Sequence, residues 1–557
     1  MTGVQTTQQH AGPSRLTPRA NPNLSPEVIV VGGGVAGATL AYALSHAGRQ
    51  VLMLERDLSE PDRIVGELLQ PGGVAALAAL GMASTLEGID ATPVEGYCVL
   101  SGTRQVGIPY PDLETYVAAE ASTANGKANG KAVSNGHANG KANGHANGHA
   151  TNGHTAIGEK EHWAVATASG RKEGRSFHHG RFIQALRAKV IDESEASVLE
   201  ATVRDLVYDR VTKDVVGVTV AIKPEDGDSE PTVREIRAPL TIIADGCFSK
   251  FRQQPGTRLP TPILRSHFVG VVLKDVDLPL RYHGTVCLTP HGPVLLYQIG
   301  DRAREIRMLV DVKGKLPSVA NGDLKKHILT DFLPHLPAEL APAIRAALDT
   351  QRLRTMPNSF LPPSMQGTGS SPRGTIMVGD AWNMRHPLTG GGMTVAFNDV
   401  VLLTKYLSID DELPAGALDR WDVIADRLRE WFWARKGLSG TVNVLSIALY
   451  DLFGAADDDL AVLREGCFKY FELGGECVAG PVGLLSALTP KPLILFYHFF
   501  SVAFYSIYIL FTEGLPTSGK RAAPAWSEFP GLFLFSFKVF YTACVVFLPV
   551  MASEFRI

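Results

Sequence analysis

The chain has 557 residues, and its 53 Lys and Arg residues against 56 Asp and Glu residues give a net charge of -3. This length leaves room for at least two domains, and the lack of a long basic block argues against nucleic acid as a partner. The six cysteines lie far apart, without CxxC pairs or His partners at ligand spacing, so we expect reduced thiols in a cytosol-facing protein and no metal site.

The N-terminal 26 residues are polar, contain four prolines and hold no apolar stretch typical of a signal peptide. We expect residues 1–26 to form a disordered tail. Residues 121–157 are an insertion rich in Ala, Asn and Gly, with ANGK and ANGH repeats. Because the insertion has almost no branched apolar residue to bury, it should also be disordered. Its histidines could bind a metal, but this spacing gives no fixed geometry.

A dinucleotide-binding pattern opens the folded part of the chain. The apolar strand 28–31 leads into a GxGxxG motif at Gly32, Gly34 and Gly37, and a helical run follows. The glycines permit a tight turn, close approach of a pyrophosphate and close packing of helix on strand. The next strand ends in Glu55, whose carboxylate can accept hydrogen bonds from a ribose. The pattern predicts dinucleotide binding without choosing between FAD and NAD.

Two later strands end in turns that contain aspartate and glycine. Strand 241–243 leads into an Asp-Gly pair at Asp245, and strand 375–378 leads into a Gly-Asp pair at Asp380, followed by a glycine run. Taken alone, each aspartate could be an ordinary turn residue. Together the segments resemble the Asp-Gly and Gly-Asp motifs of FAD-dependent monooxygenases, in which the second aspartate binds flavin ribityl hydroxyls. The resemblance favours FAD as the cofactor.

Three longer runs narrow the family. Residues 55–73, which include GELLQPGG, and residues 174–182 and 383–398 resemble fungal squalene epoxidases. The resemblance extends from residue 27 to the C-terminus, except for the insertion. It implies a monooxygenase that epoxidises a terminal double bond of squalene to 2,3-oxidosqualene in sterol (ergosterol) biosynthesis. The polar N-terminus lacks the hydrophobic anchor of animal members, which fits a fungal form.

The motifs and the resemblance together assign a set of cofactor-binding residues. We expect FAD to contact Gly32, Gly34, Gly37, Glu55, Arg63, Leu68, Arg181, Val203, Asp245, Asp380 and Met393. The guanidinium of Arg63 or Arg181 can neutralise a pyrophosphate or clamp polar flavin atoms in a fork. Either arginine could instead form a surface ion pair.

The chemistry of squalene sets what the site must contain. The alkene has no acidic proton and no polar handle, so a general base or a Ser/His/Asp nucleophile would have nothing to act on. The resemblance implies that reduced FAD and dioxygen form a flavin hydroperoxide that supplies an electrophilic oxygen. It also implies that Tyr97 and Gln70 hydrogen-bond to each other beside the flavin and orient flavin and pocket. A plain packing role for Tyr97 stays open.

An apolar tunnel for squalene is expected in the segment 445–485. This segment offers Leu449, Phe453, Phe468, Phe471 and Leu484. The resemblance adds Pro387 and His498 to the lining. Periodicity alone would make the aromatic residues ordinary core.

Two apolar segments near the C-terminus predict membrane attachment. Residues 492–511 run without a charge, and residues 529–551 are broken only by Lys538, whose stem could carry its ammonium to the interface. Buried core helices are the alternative, but such helices rarely run this long without polar residues. Whether the pair spans the bilayer or dips into one leaflet stays open.

The predicted fold class is α/β, with a doubly wound FAD-binding domain interleaved with a β-sheet substrate domain and followed by C-terminal membrane-associated helices. The predicted boundaries are 27–120, 158–253 and 355–440 for the FAD-binding domain, 254–354 for the substrate domain, 441–490 for substrate-pocket helices and 491–557 for the membrane helices. Alternating apolar strands such as 266–273 and 294–299 suit the substrate sheet.

The resemblance also implies partners and a location. Electrons should come from NADPH through an NADPH-cytochrome reductase, and the catalytic domain should face the cytosol from membrane lipid of the endoplasmic reticulum, including microsomes and lipid-droplet surfaces. Two rivals stay open, namely an aromatic hydroxylase or prenyl-chain reductase of the same superfamily, and a non-catalytic flavin-binding membrane scaffold. The QPGG run at residues 70–73 and the terminal helices argue against the first. Product analysis with squalene separates the second.

Overall fold

The computed structural model describes residues 15–19, 22–111, 172–223, 230–253, 259–302, 304–369, 371–454, 457–515 and 523–554. The predicted insertion at 121–157 lies outside these residues, as does most of the predicted tail. Arg15 in the tail is held against the cofactor domain, since its guanidinium lies 2.5 Å from the carboxylate of Glu200 and its backbone forms an isolated β-bridge with Ser59. The prediction of a loose tail therefore does not hold for Arg15.

Strands dominate the first two thirds of the described chain, and helices dominate the remainder. The strands are β1 (Val28–Val31), β2 (Val51–Glu55), β3 (Leu68–Leu69), β4 (Thr92–Val94), β5 (Gly96–Ser101), β6 (Arg104–Pro109), β7 (Gly174–Ser176), β8 (Ser197–Tyr208), β9 (Val215–Ile222), β10 (Thr232–Arg237), β11 (Leu240–Ile243), β12 (Ile263–Lys274), β13 (His283–Thr289), β14 (Gly292–Gly300), β15 (Glu305–Lys313), β16 (Arg354–Phe360) and β17 (Thr375–Met377). The α-helices are α1 (Val35–His46), α2 (Pro71–Ala79), α3 (His179–Glu193), α4 (Asp323–His327), α5 (Ala341–Thr350), α6 (Gly392–Leu407), α7 (Trp421–Ala434), α8 (Lys436–Phe453), α9 (Asp458–Glu472), α10 (Glu476–Leu485), α11 (Pro492–Glu513) and α12 (Phe529–Glu554).

The first sheet forms the cofactor domain and confirms the predicted α/β class. Its strand order is β10-β9-β8-β2-β1-β11-β17, and the strands from β8 to β17 in this order run parallel. Strands β1 and β11 read VIVV and LTII and are fully buried, as expected where helices cover both faces of a parallel sheet. The residues that follow parallel strands meet at one edge, where such sheets bind ligands. Gly32, Ala244 and Gly379 therefore lie close together.

The second sheet includes strands that lie outside the predicted substrate domain, residues 254–354. Its order is β16-β12-β15-β14-β13-β5-β6, so β5 and β6 belong to it although the prediction placed them in the cofactor domain. Strand β5 pairs in parallel with β13, with Gly96 opposite His283. This pairing satisfies backbone groups of β13 that would otherwise form an open edge. It also places Tyr97, on β5, in this second sheet, which we call the substrate sheet after the predicted substrate domain.

A three-stranded sheet, β3-β7-β4, lies against strand β14 of the second sheet. Strand β3 pairs with β7 through Leu68 opposite Ser176, and the Ser176 hydroxyl donates a hydrogen bond to the Gln298 carbonyl on β14. The N-H of Gly72, just after β3, donates to the Ser486 carbonyl over 2.9 Å. The segment that carries Gln70 is thus tied both to the substrate sheet and to the C-terminal helices.

Helices α8 to α12 pack beside the second sheet, and the last two are apolar. Within the described residues, Pro492–Glu513 and Trp526–Glu554 are long and apolar enough to cross a bilayer. Only 33% and 22% of their apolar windows are buried, so the alternative of two core helices is wrong. The buried face of α12 extends along the whole helix and consists of Leu532, Val539, Ala543, Phe547 and Glu554.

Candidate active site

A cleft of about 830 Å³ opens between the carboxyl edge of the first sheet and the second sheet. Predicted site residues that line it are Gly32, Gly34, Glu55, Arg63, Leu68, Tyr97, Val203, Asp245, Asp380, Pro387 and Met393. These residues come from both large sheets and from the glycine-rich segment before α6. The cleft is therefore the place where the three predicted motifs and the second sheet meet.

The glycine motif forms a tight cradle at the start of α1. Gly32 has a φ of +100°, and a Cβ there would lie 2.7 Å from the Ala244 carbonyl oxygen. A Cβ on Gly37 would lie 1.8 Å from the Gly32 carbonyl oxygen, so helix and strand could not approach as they do. A Cβ on Gly34 would meet nothing within 4 Å. This space lies at the N-terminus of α1, where free N-H groups and the helix dipole favour a phosphate.

Glu55 is fixed at the end of β2 by its neighbours. Its carboxylate accepts a hydrogen bond from the N-H of Gly33 over 2.7 Å and lies 3.2 Å from the guanidinium of Arg187. Arg187 also donates to the Gly33 carbonyl over 2.8 Å and to the Asp57 carbonyl over 3.0 Å. Burial lowers the pKa of Arg187, and the nearby charge of Glu55 opposes this shift. Arg187 thus ties the first glycine turn to Glu55.

The two predicted arginines lie in different surroundings. Arg63 lines the cleft, whereas Arg181 is not among the lining residues. The Arg181 side chain is 42% exposed, and its guanidinium lies 3.9 Å from the carboxylate of Asp90. The alternative of a surface ion pair therefore fits Arg181. Arg187, six residues further along the same helix, lines the cleft instead.

Arg252 joins the Asp-Gly and Gly-Asp loops. Its guanidinium donates to the Cys247 carbonyl over 2.7 Å, to the Ala381 carbonyl over 2.8 Å and to the Asp380 carbonyl over 2.9 Å. Burial lowers the pKa of Arg252, and the charge of Asp245 opposes this shift. A single buried cation therefore fixes both loops relative to each other.

Unpaired buried atoms in the cleft fit a bound flavin. Among the described residues, the Asp245 Oδ1, Arg385 Nε and Thr389 Oγ1 atoms are buried without a hydrogen-bond partner. All three residues line the cleft. Other buried polar atoms of the described residues, away from the cleft, are also unpaired, but these three border a space in which the polar edge and ribityl chain of a flavin would offer partners. The glycine cradle, Glu55 and these atoms together fit FAD.

Gln70 and Tyr97 lie in direct contact, as the resemblance implies. The Gln70 amide donates to the Tyr97 hydroxyl, and it also donates to the Thr389 carbonyl over 2.7 Å. The Tyr97 hydroxyl lies 3.2 Å from the same carbonyl, and the Tyr110 hydroxyl donates to the Gln70 carbonyl over 2.8 Å. Burial raises the pKa of Tyr97 above its ordinary value, which keeps the phenol neutral. Gln70 is fully buried behind the cleft, and Tyr110 is a partner that the sequence did not reveal.

A second buried cluster holds the other side of the same turn. The His386 Nδ1 atom accepts a hydrogen bond from the N-H of Leu388 over 3.2 Å, so the ring carries its proton on Nε2. The Nε2 atom lies 3.0 Å from the Ser266 hydroxyl, which in turn donates to the carboxylate of Asp311. Burial lowers the pKa of His386 and favours this neutral form. The turn from Pro387 to Thr389 is thus held from two directions.

The predicted tunnel residues divide into three groups, because Pro387 lines the cleft between the two sheets and not the apolar cavity. An apolar cavity of about 70 Å³ is lined by Leu449, Phe471, Leu484 and His498, with no polar surface in its lining. Phe453 and Phe468 instead pack in the core cluster beneath the second sheet, and the Arg104 guanidinium lies 4.3 Å from the Phe468 ring centre. Ordinary core, the alternative from periodicity, fits Phe453 and Phe468.

Comparison with known proteins identifies the family. Residues 237–521 match the family model described as squalene epoxidase, and residues 27–63 match FAD dependent oxidoreductase. A squalene epoxidase of Aspergillus fumigatus is 41% identical over 95% of this chain and 93% of its own length. The chain belongs to the squalene epoxidase family. A squalene monooxygenase of mouse is 40% identical over 95% of this chain and 78% of its own length.

Solved structures with the same fold are more distant. A probable FAD-dependent monooxygenase from Pseudomonas aeruginosa superposes with a TM-score of 0.53 at 17% identity, covering 78% of this chain and 97% of its own. A flavin-dependent brominase superposes with a TM-score of 0.58 at 13% identity, covering 86% of this chain and 99% of its own. At such identities the likeness shows the fold alone. This squalene epoxidase family member has the fold of FAD-dependent monooxygenases, and its cofactor is FAD.

Proposed function

We propose that this protein epoxidises a terminal double bond of squalene to 2,3-oxidosqualene in sterol biosynthesis. The proposal rests on the position of the turn from Pro387 to Thr389. Leu388 and Thr389 line the flavin cleft, and Leu388 also packs in the apolar cluster that contains Tyr97, Phe453 and Phe468. An oxidising cofactor on one side of this turn would meet an apolar chain on the other. This juxtaposition suits an uncharged alkene without polar groups.

The reaction needs a dry site more than it needs acids or bases. When bound and reduced, FAD supplies the activation of dioxygen. One oxygen atom enters the epoxide and the other leaves as water, which takes two electrons and two protons in total. The protein residues bind, orient and exclude water. In this role Gln70 and Tyr97 hold the Thr389 carbonyl, and the neutral phenol adds no charge beside the alkene.

The cofactor contacts follow from the arrangement of the cleft. The N-terminus of α1 would hold the pyrophosphate, Glu55 the ribose and Asp380 the ribityl chain. Arg63 is placed to neutralise phosphate charge. The N-terminus of α6, with Met393 in its first turn, would approach the electron-rich edge of the flavin ring.

The membrane segment is proposed to lie in one leaflet with the catalytic domain on the cytosolic side of the endoplasmic reticulum. The buried face of α12 packs against α8 and α9 along the helix, and α9 carries charged side chains that would be costly in lipid. Lys538 lies 3.3 Å from the carboxylate of Asp459 on α9, so its charge has a protein partner as well as a route to the interface. The opposite face exposes large apolar side chains, among them Leu534 and Tyr541.

Electrons are proposed to come from NADPH through a separate NADPH-cytochrome reductase. This part of the proposal is supported by the family resemblance alone. The test is product analysis on purified protein with squalene, NADPH, dioxygen and an added reductase. We expect oxidosqualene, none without dioxygen, and little without the reductase. Flavin-loaded protein that yields no epoxide under these conditions would support the scaffold alternative instead.

A further inference from the structure

The last described residue of α12 is a buried glutamate. Glu554 is fully buried at the last described turn of α12, and Lys436, at the start of α8, is 3% exposed. The Lys436 ammonium lies 3.4 Å from the Glu554 carboxylate and also donates to the Glu554 backbone carbonyl. Burying a carboxylate costs free energy unless the charge is paired. A residue in this position implies a specific partner.

Hydrogen bonds lead from this carboxylate toward the flavin cleft. The Asn443 amide donates to Glu554 Oε1 over 2.9 Å and lies 3.2 Å from Asn383 Oδ1. The Arg435 guanidinium donates to the same Asn383 oxygen over 3.0 Å. Arg435 also forms two hydrogen bonds of 2.7 Å with the carboxylate of Asp399 on α6. Two cations and two anions are therefore paired in one buried network.

Asn383 carries the network into the flavin-binding segment. Its N-H donates to the Gly379 carbonyl over 2.9 Å, directly beside Asp380. Its carbonyl accepts from the Arg385 guanidinium over 2.9 Å, and Arg385 also donates to the Gly392 carbonyl over 3.1 Å. Arg385 and Gly392 both line the cleft. The start and the end of the segment around the flavin are thus linked to the end of the membrane-associated helix.

We propose that Glu554 is a positioning residue for the flavin-binding segment, acting through Asn443 and Asn383. When the end of α12 packs so that Glu554 contacts Lys436 and Asn443, the hydrogen-bond network is complete. Flavin is bound tightly only in this packed arrangement. The inference deepens the proposed function and rests on the cleft being the FAD site. It makes flavin retention depend on the seating of a helix that also faces the membrane.

Paired substitutions separate this role from simple packing. The double variant Lys436→Met/Glu554→Gln keeps charge balance and a side-chain oxygen for Asn443, and it should release FAD at a rate within about threefold of the unaltered protein. The double variant Lys436→Met/Glu554→Leu is also balanced but loses the hydrogen bond, and it should release FAD about tenfold faster. The measurement is flavin fluorescence after dilution of the full-length holoprotein in detergent. Ser553→Ala is the control, because the Ser553 hydroxyl donates to the Val550 carbonyl within its own helix.

A third variant tests the same link without removing the ion pair, so that the test does not depend on folding of the leucine variant. Asn443→Ala cuts the link to Asn383 but leaves the ion pair of Lys436 and Glu554, and it too should release FAD about tenfold faster. Unfolding temperature and vesicle binding are measured in parallel. If flavin release is unchanged in Asn443→Ala and in the folded leucine variant, the inference is wrong. A holoprotein that retains FAD but makes no oxidosqualene would contradict the proposed function and leave this inference standing.

Discussion

Glu67 and Arg307 form a buried bidentate ion pair that joins the segment before β3 to the substrate sheet. The two hydrogen bonds, Nε to Oε2 and Nη2 to Oε1, are each 2.8 Å long, and the side chains are 1% and 8% exposed. The Tyr297 hydroxyl lies 3.3 Å from the same carboxylate. The pair therefore fixes the strand that carries Leu68 relative to the sheet that carries Tyr97.

Breaking this pair from one side should destabilise the protein strongly. Arg307→Met leaves the Glu67 carboxylate buried without its cation, which costs roughly 3–5 kcal/mol of unfolding free energy. The double variant Arg307→Met/Glu67→Leu removes both charges and should recover most of that loss. Denaturant unfolding of the three proteins measures both effects. A double variant that is no more stable than Arg307→Met would contradict the role of the uncompensated charge.

Because His179 is buried with a lowered pKa, we expect the protein to lose stability in mild acid. Its Nδ1 atom lies 2.8 Å from the Gly66 carbonyl oxygen, and burial lowers its pKa to about 4. The unfolded chain binds a proton near its ordinary pKa of about 6.5, so the folded state loses stability as the pH falls from there toward 4. Between pH 7 and pH 5 the loss should be about 2 kcal/mol.

The control for this pH effect is His179→Gln, which can still donate to the Gly66 carbonyl but does not titrate. Urea unfolding at pH 5 and pH 7 should show a smaller acid loss in the variant than in the unaltered protein, by about 2 kcal/mol. Equal losses in both proteins would assign the acid sensitivity to other groups.

Loss of either cofactor carboxylate should weaken flavin binding. Glu55→Ala and Asp380→Ala should each remove the proposed charge-assisted hydrogen bonds to sugar or ribityl hydroxyls, worth about 1.5–3 kcal/mol, or one to two decades in affinity. Flavin absorbance of the purified variants and titration with FAD measure the effect. Glu200→Ala is a matched control, because Glu200 lies opposite Glu55 on the next strand but does not line the cleft. Full flavin occupancy at low FAD in both variants would contradict these assignments.

The features that were predicted correctly from the sequence are those determined by residues close together in the chain. Strand β1 has the predicted bounds, and Gly32, Gly37 and Glu55 follow from it within one strand-helix-strand unit. Local patterns are sufficient there because glycine spacing and strand ends are set along the chain.

Contacts between distant segments could not be predicted in this way. Arg187 meets Gly33 across 154 residues, and Arg252 meets Ala381 across 129 residues. Arg187 belongs to no local motif, although it shares the buried face of α3 with Ile183, a weak signal that it points inward. Arg252 ends the run of residues that resembles the Asp-Gly motif, but that run does not show that its side chain reaches the second loop. Arg181 resembled a family position but lies on the exposed face of the same helix.

The apolar cavity predicts different outcomes for two phenylalanines. Phe471 lines the cavity, so Phe471→Ala should remove apolar contact with squalene, worth roughly 3 kcal/mol, and lower epoxide formation while FAD stays bound. Phe468 is buried in the core, so Phe468→Ala should instead lower the unfolding free energy by roughly 3–5 kcal/mol. Epoxide yield, flavin content and unfolding midpoint are measured for both. Identical profiles would mean that the cavity wall has no role of its own.

The exposed faces of α11 and α12 predict how the protein meets the membrane. Leu493 and Leu534 are 85% and 71% exposed, and transferring each side chain into lipid is worth about 1.5–3 kcal/mol. Leu493→Asp/Leu534→Asp should therefore weaken binding to phosphatidylcholine vesicles by at least about tenfold, with flavin retained. Val211→Asp, on an equally exposed turn of the cofactor domain at 88% exposure, should leave vesicle binding unchanged.

The topology of the two helices is tested separately, at the connection between them. If the pair lies in one leaflet, both ends of α12 stay on the side of the catalytic domain, because its buried face contacts the protein along its whole length. A cysteine in Ala525→Cys, exposed before α12, should then react with a membrane-impermeant thiol reagent in sealed vesicles that carry the catalytic domain outside. A spanning hairpin would place this connection inside the vesicle. In a one-leaflet arrangement, squalene can pass from lipid to the cavity without crossing water. Labelling of intact vesicles above that of the unaltered protein would support this arrangement. Labelling only after detergent is added would reject it.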